Sequence, residues 1–254
     1  MPTASVQGLG ATDMTMRPRS LWTLFAAGLA AAGLSGCGPG ETFEDDASLR
    51  DEVTSVRLDT GTGSVTLRGR EGLHEITVHR EITYHGDKPD GRTYRVDEGR
   101  LTLQGCGDDC KVDYTVEVPA RLTVEGETSK GDVNLSEVGP VDLRTGSGDV
   151  TLEGVAGEVK ARTSNGNIDG KDLRGSRIDA ETSNGEIDLT PGKALDIRAK
   201  TTNGGLTLNL PDSSYRISVK TGNGDKDIGV RNDPSGDHRI ELTTGNGDVS
   251  VNPA

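Results

Sequence analysis

Val159-Lys160-Ala161-Arg162-Thr163-Ser164-Asn165-Gly166-Asn167-Ile168-Asp169 is followed nineteen residues later by Ile178-Asp179-Ala180-Glu181-Thr182-Ser183-Asn184-Gly185-Glu186-Ile187-Asp188. After nineteen more comes Ile197-Arg198-Ala199-Lys200-Thr201-Thr202-Asn203-Gly204-Gly205-Leu206-Thr207. The invariant part is Thr-x-x-Gly-x, which also starts at Thr60, Thr128, Thr145, Thr221 and Thr244. From Thr128 onward the steps are 17, 18, 19, 19, 20 and 23 residues. A fixed period of this size marks a repeat architecture in which each unit is one supersecondary element.

The flanks specify that element. Around Thr145 the apolar residues are Val141, Leu143, Val150 and Leu152, and around Thr182 they are Ile178, Ala180, Ile187 and Leu189. Thr60, Thr201 and Thr244 keep the same offsets, so inward positions fall at −4, −2, 0, +5 and +7 from Thr. Spacing of two is a strand with one buried face. The odd step from 0 to +5 reverses that parity and requires a corner between two strands. Asn-Gly at 165–166, 184–185, 203–204, 223–224 and 246–247 supplies residue types that tolerate positive φ there. The corner residues are Thr128, Thr145, Thr163, Thr182, Thr201, Thr221 and Thr244, with Gly131, Gly148, Gly166, Gly185, Gly204, Gly224 and Gly247.

A two-strand unit this short cannot bury its own apolar face, so the pattern predicts stacking. The fold class is all-β: a β-solenoid, or single-stranded β-helix, with rungs of about 17–23 residues. Thr at position 0 is expected to stack rung on rung as an internal ladder. An antiparallel meander is the competing arrangement, because Asn-Gly also makes two-residue hairpins; register kept through seven consecutive copies favours the solenoid. Lys226 occupies a +5 position that is apolar elsewhere, so its rung is expected to be distorted or open to solvent.

The remainder divides into short sections. Arg17 and Arg19 precede the uncharged run Leu21–Gly36, too short for a permanent membrane span and ending in small residues, as secretory signals do. Leu34-Ser35-Gly36-Cys37 resembles the lipobox of bacterial lipoproteins, which implies cleavage between Gly36 and Cys37 and lipidation of Cys37. Met14 or Met16 is the expected start of that signal. The mature chain from Cys37 has 26 basic and 40 acidic residues, a charge of −14. Residues 37–51 read as a lipidated tether, 52–120 as an N-terminal β-hairpin section with the first rung, and 121–252 as solenoid repeats. Export leaves Cys106 and Cys110 as a pair in an oxidising compartment. Disulfide is favoured over a redox pair, which usually has two intervening residues, and over a zinc site, for which no further Cys or His stands nearby. The bridge is expected to close a hairpin loop between Leu101–Gln104 and Lys111–Val118. The chain stops at Ala254 just after a strand, a blunt face at which another chain could pair, although Pro253 would interfere.

Composition limits the chemistry. Gly makes up 36 of 254 residues, about twice the usual share, and disfavours a helical globule. The net charge of −13 argues against nucleic acid as a partner. His74-Glu75-Ile76-Thr77-Val78-His79 has one residue too many for the zinc-protease pattern, and on a strand its histidines would face opposite ways. The Gly-rich phrases lack the spacing and following helix of phosphate or dinucleotide loops. No catalytic residue, metal site or cofactor is expected. Two alternatives carry less weight. A calcium-stabilised solenoid is suggested by Gly-Asn-Gly-Asp at 222–225 and 245–248, but calcium repeats have a period near nine. A polysaccharide-cleaving β-helix would need an aromatic-lined cleft, and the mature chain has five scattered aromatics.

Tyr114-Thr115-Val116-Glu117-Val118-Pro119, then Leu122-Thr123-Val124 and the series TSKGDV, TGSGDV, TSNGNI and TSNGEI, resembles the "putative adhesin" family of bacterial envelope proteins. The resemblance covers about residues 50–252. It implies a β-helix outside the cytoplasm, with no established catalysis and no catalytic residues to carry over, and the lipobox at Cys37 adds a lipid anchor to the cell membrane. Some members are linked to envelope stress or antimicrobial-peptide sensing. The implied partners are the membrane, through the lipid, and an envelope polymer or protein, with the chain a monomer or weakly associated end to end.

Overall fold

The structure is a computed structural model that describes residues 40–254, so the Gly36–Cys37 cleavage site and the lipidation site lie outside the described residues. The chain opens with β1 (Glu41–Leu49), the pair β2 (Ser55–Thr62) and β3 (Val65–Arg70), and then β4 (Ile76–Tyr84), β5 (Tyr94–Asp97), β6 (Arg100–Gln104) and β7 (Cys110–Pro119). Seven further pairs follow: β8 (Thr123–Lys130) and β9 (Val133–Ser136), β10 (Val141–Ser147) and β11 (Val150–Glu153), β12 (Val159–Asn165) and β13 (Ile168–Leu173), β14 (Arg177–Asn184) and β15 (Ile187–Pro191). The last three are β16 (Asp196–Asn203) and β17 (Leu206–Leu210), β18 (Tyr215–Asn223) and β19 (Lys226–Ile228), β20 (His238–Asn246) and β21 (Val249–Pro253).

The two strands of each repeat belong to different sheets. One sheet has eleven strands and the other ten, and neighbouring rungs pair in parallel. The architecture is therefore the β-solenoid. The inward offsets hold: Val141, Leu143, Thr145, Val150 and Leu152 are all buried, as are their counterparts around Thr182, Thr201 and Thr244. Each Val, Ile or Leu so buried contributes about 1.5–3 kcal/mol before chain entropy is subtracted. Where Gly170 leaves the +7 position without a side chain, Leu173 and Leu189 close over it.

The corner is made by glycine alone. The eight +3 glycines, Gly63 to Gly247, have φ between 127° and 152°, while the asparagines before them stay out of the positive-φ region. The expectation that Asn shares the strained position is corrected: its role is lateral. Asn184, Asn203, Asn246 and Asn223 each donate from Nδ2 to the Oδ1 of the preceding member of a ladder that starts at Asn165, at 2.8–3.0 Å.

Stacking order departs from chain order at both ends. The rung β20/β21 inserts between β16/β17 and β18/β19, so the rung carrying Lys226 closes the stack. There Lys226 is exposed, Ile217 and Val219 are only half-buried, and Ile228 is 41% exposed. A buried cation in an interior rung would be unpaired, whereas at the end its ammonium reaches solvent and donates to the Val219 carbonyl at 3.3 Å. The last strand of the chain is therefore not a blunt end: β21 is flanked by β17 and β19. At the other end the first rung, β2/β3, lies between β8/β9 and β6/β7.

The N-terminal section combines a rung and hairpin-like strands. β6 pairs with β2 and β7 with β3, both in parallel, while β5 and β4 add antiparallel partners. Since β6 and β7 sit in different sheets, the Cys106–Cys110 disulfide staples a rung corner rather than a hairpin loop. Glu41–Leu49, expected to be part of a tether, is instead an edge strand in antiparallel register with all of β4.

Adjacent glycines give a direct test of the corner. A Cβ at Gly185, with φ 152°, would overlap the carbonyl of Gly166 on the neighbouring rung, whereas at Gly205 it would meet only a carbonyl oxygen at 3.4 Å. Gly185→Ala should lower the unfolding free energy by about 2 kcal/mol or more, with Gly205→Ala near neutral, in urea titrations of the two variants.

Candidate interaction surface

The repeat residues converge on the corners, and there they bond between rungs. Thr182 Oγ1 donates to the Gly166 carbonyl at 2.9 Å, and the Gly166 N–H donates to the Asn184 carbonyl at 2.9 Å. Gly166 is thus held at both polar groups by the next rung. The same clamp joins Thr163 to Gly148, Thr201 to Gly185, Thr244 to Gly204 and Thr221 to Gly247. The N-terminal copies differ: Thr145 donates to the Ser147 carbonyl within its own rung at 3.3 Å, and the buried hydroxyls of Thr60 and Thr128 have no partner among the described residues.

Side chains at +4 fasten the outside of the same corner. Asp132 Oδ1 accepts the Asp149 N–H, Asp149 that of Asn167, Asn167 that of Glu186, and Asp248 that of Asp225, at 2.7–2.9 Å. Of the two Gly-Asn-Gly-Asp carboxylates that suggested calcium, that of Asp248 is occupied with the Asp225 backbone N–H. Among the described residues no group of three or more His, Cys, Asp or Glu stands close enough to hold a metal ion. His74 precedes β4, and His79 lies 2.8 Å from Asp46 on β1.

Outward residues form columns one rung apart. A depression of about 500 Å³ crosses β2, β8 and β10, floored by Gly61, Ser129 and Gly146 and bordered by Asp59, Glu127 and Arg144. On the eleven-stranded sheet Asp169 and Asp188 are neighbours in register. Partial desolvation between their flanking strands pushes both carboxyls above the usual range, and repulsion from Asp188, Asp149 and Glu186 adds to the shift at Asp169.

Two features near the N-terminal end escaped the sequence reading. Arg80 is buried; its guanidinium grips Asp45 of β1 through two hydrogen bonds, one of them 2.6 Å, and reaches Thr93 Oγ1 at 3.0 Å. The hydrogen bonds from Arg80 hold the Asp45 carboxyl below its ordinary range. Tyr114 is also buried, its hydroxyl 2.7 Å from the carbonyls of Thr93 and Gln104, and burial raises it to about 12. The alternation of Phe43, Ala47 and Leu49 with acids is the period-two signal that could have revealed β1.

The match of a family model settles the kinship: Toastrack DUF4097, over residues 93–252. The chain belongs to that family. No curated protein matches the sequence. Among solved structures, the chain is similar to a "putative cell adhesion protein" from Clostridium sporogenes ATCC 15579, at 14% identity and TM-score 0.40, covering 84% of this chain and 100% of that one. A "putative adhesin" from Bacteroides fragilis NCTC 9343 matches at 13% identity and TM-score 0.41, over 83% and 97%. One from Parabacteroides distasonis ATCC 8503 matches at 13% identity and TM-score 0.34, over 84% and 97%.

The threonines allow the corner clamp to be weighed. Thr182→Val removes a donated hydrogen bond and should cost about 1 kcal/mol in denaturant unfolding, while Thr128→Val removes an unpartnered buried hydroxyl and should be neutral or stabilising.

Proposed function

We propose that this Toastrack DUF4097 protein is a non-catalytic, lipid-anchored module of the cell envelope that binds an envelope polymer or protein through the outer faces of its solenoid. The observation that carries the reading is how the conspicuous polar residues of the repeat are used. The corner Thr, Asn and Asp side chains bond rung to rung, and the faces between corners present regular columns of charged and small residues rather than a convergent set of groups. Rigid, repetitive, extended faces suit recognition of an extended partner.

The anchor follows from the signal ending at Cys37. Only Gly38 and Pro39 separate Cys37 from Gly40, a reach of at most about 11 Å over three peptide steps, so a domain starting at β1 would sit close against the bilayer at that end. The lipid places the module outside the cytoplasm, and the acidic surface makes nucleic acid an unsuitable partner.

The test is photocrosslinking in living cells from a reactive residue at position 144, followed by membrane fractionation, with a Cys37→Ser variant alongside. The expected result is one dominant crosslinked partner, membrane-associated for the native anchor and released for the variant. A diffuse ladder of products from both, or an anchor-independent membrane fraction, would contradict the reading.

A further inference from the structure

The outer face of the ten-stranded sheet is not uniform in charge. On its last three strands, β16, β20 and β18, it carries Arg198, Lys200, Arg239, Arg216 and Lys220 against Asp196 and Glu241, in a protein with 28 basic and 41 acidic residues. The register brings like charges together: Arg239 lies directly beside Arg216, and Lys200 and Lys220 flank Thr243. Like charges opposed across strands are unfavourable in isolation. The two acids are already engaged. Glu241 pairs with Arg239, Asp196 accepts the Arg239 backbone N–H at 2.9 Å, and Lys200 reaches back to Glu181 at 2.6 Å. Arg198, Arg216 and Lys220 are exposed, and none of the ion pairs among the described residues uses them.

Protection of an open edge does not account for this cluster. The start of the β18 edge is already covered, because Asn232 Oδ1 accepts the Ile217 N–H at 2.9 Å and the Asp233 N–H donates to the Tyr215 carbonyl at 2.8 Å. Arg198 and Lys200, moreover, lie two strands in from that edge. Two adjoining grooves cross the cations and meet at Ser218, one of about 300 Å³ over Arg198, Lys200 and Lys220, the other of about 410 Å³ over Arg216 and Arg239.

We infer that this terminal face is the binding site for an extended acidic polysaccharide, one that carries about one carboxylate per sugar. The inference rests on the binding-module reading above and names its ligand. Arginine and lysine unpaired on a groove floor suit carboxylates, Arg by two-point contact. A densely charged polymer would project past the patch into the field of an acidic protein, whereas sparse charges can seat within it, since screening confines each interaction to about 8 Å. Tyr215, the one Phe, Tyr or Trp on these strands, is buried with His238 packed against it, so recognition is by charge and not by stacking. The site is also remote from β1: ten strand spacings of about 4.8 Å separate β1 from β19, roughly 48 Å, which points to a partner other than the anchoring bilayer.

The full-length protein in detergent, titrated with polygalacturonate, tests this. Binding should weaken steeply as salt rises, and Arg216→Gln with Lys220→Gln should lower affinity about ten-fold with no shift in the thermal midpoint. Arg57→Gln, on β2 of the same sheet and far from the patch, should leave affinity unchanged. Equal affinity of the double variant, equal binding of neutral dextran, or tighter binding of polyphosphate would each overturn the assignment. Absence of polygalacturonate binding beside a specific partner crosslinked from position 144 would overturn this inference alone and leave the binding-module reading standing.

Discussion

The structure depends on the contact between one corner glycine and the rung beside it. At +3 the backbone takes a positive φ that L-residues with a Cβ avoid, and it passes so close to the neighbouring corner that a Cβ would overlap a carbonyl. That closeness makes the clamp possible: the Gly166 N–H and carbonyl, for example, are both satisfied by the 182 rung. Parity of the inward residues, the buried Thr ladder and the parallel pairing of both sheets follow from it. High glycine content is in this chain a requirement of rigidity.

A repeat of this kind needs its ends closed, and the two ends are closed differently. At one end a disulfide-stapled rung, an antiparallel strand and the edge strand β1, gripped by Arg80, cover the stack. At the other, the rung that cannot be buried is placed outermost and the loop after it folds back along β18. The same rung adds to the basic face, so closure of the stack and the proposed recognition share one element.

Much of this was legible from Thr60, Thr128 and the six later copies, because spacing of two and a parity reversal are geometric statements. The rung order was not. Ile217 and Val219 occupy the same offsets as Ile240 and Leu242, both corners read Thr-Gly-Asn-Gly-Asp, and only Lys226 distinguishes the rung that ends outermost. Glu41–Leu49 looked like a tether because its acids stand out, while the buried arginine that pairs with one of them lies thirty-five residues away. The charge cluster was hidden for a related reason: Arg198, Arg216 and Arg239 are distant in sequence and become neighbours only when β16, β20 and β18 stack side by side.

Stacking by clamped corners, with β20/β21 inserted before the final rung, is the central claim, and paired cysteines on the outer face of the eleven-stranded sheet test it most directly. Thr207 and Asp227 both stand opposite Ser250, on either side of it. Adjacent strands are about 4.8 Å apart, within disulfide range, and alternate strands about 9.6 Å, beyond it. Oxidation should crosslink Thr207→Cys with Ser250→Cys and leave Thr207→Cys with Asp227→Cys reduced. A bridge between positions 207 and 227, with none between 207 and 250, would show rungs stacked in chain order and contradict the account.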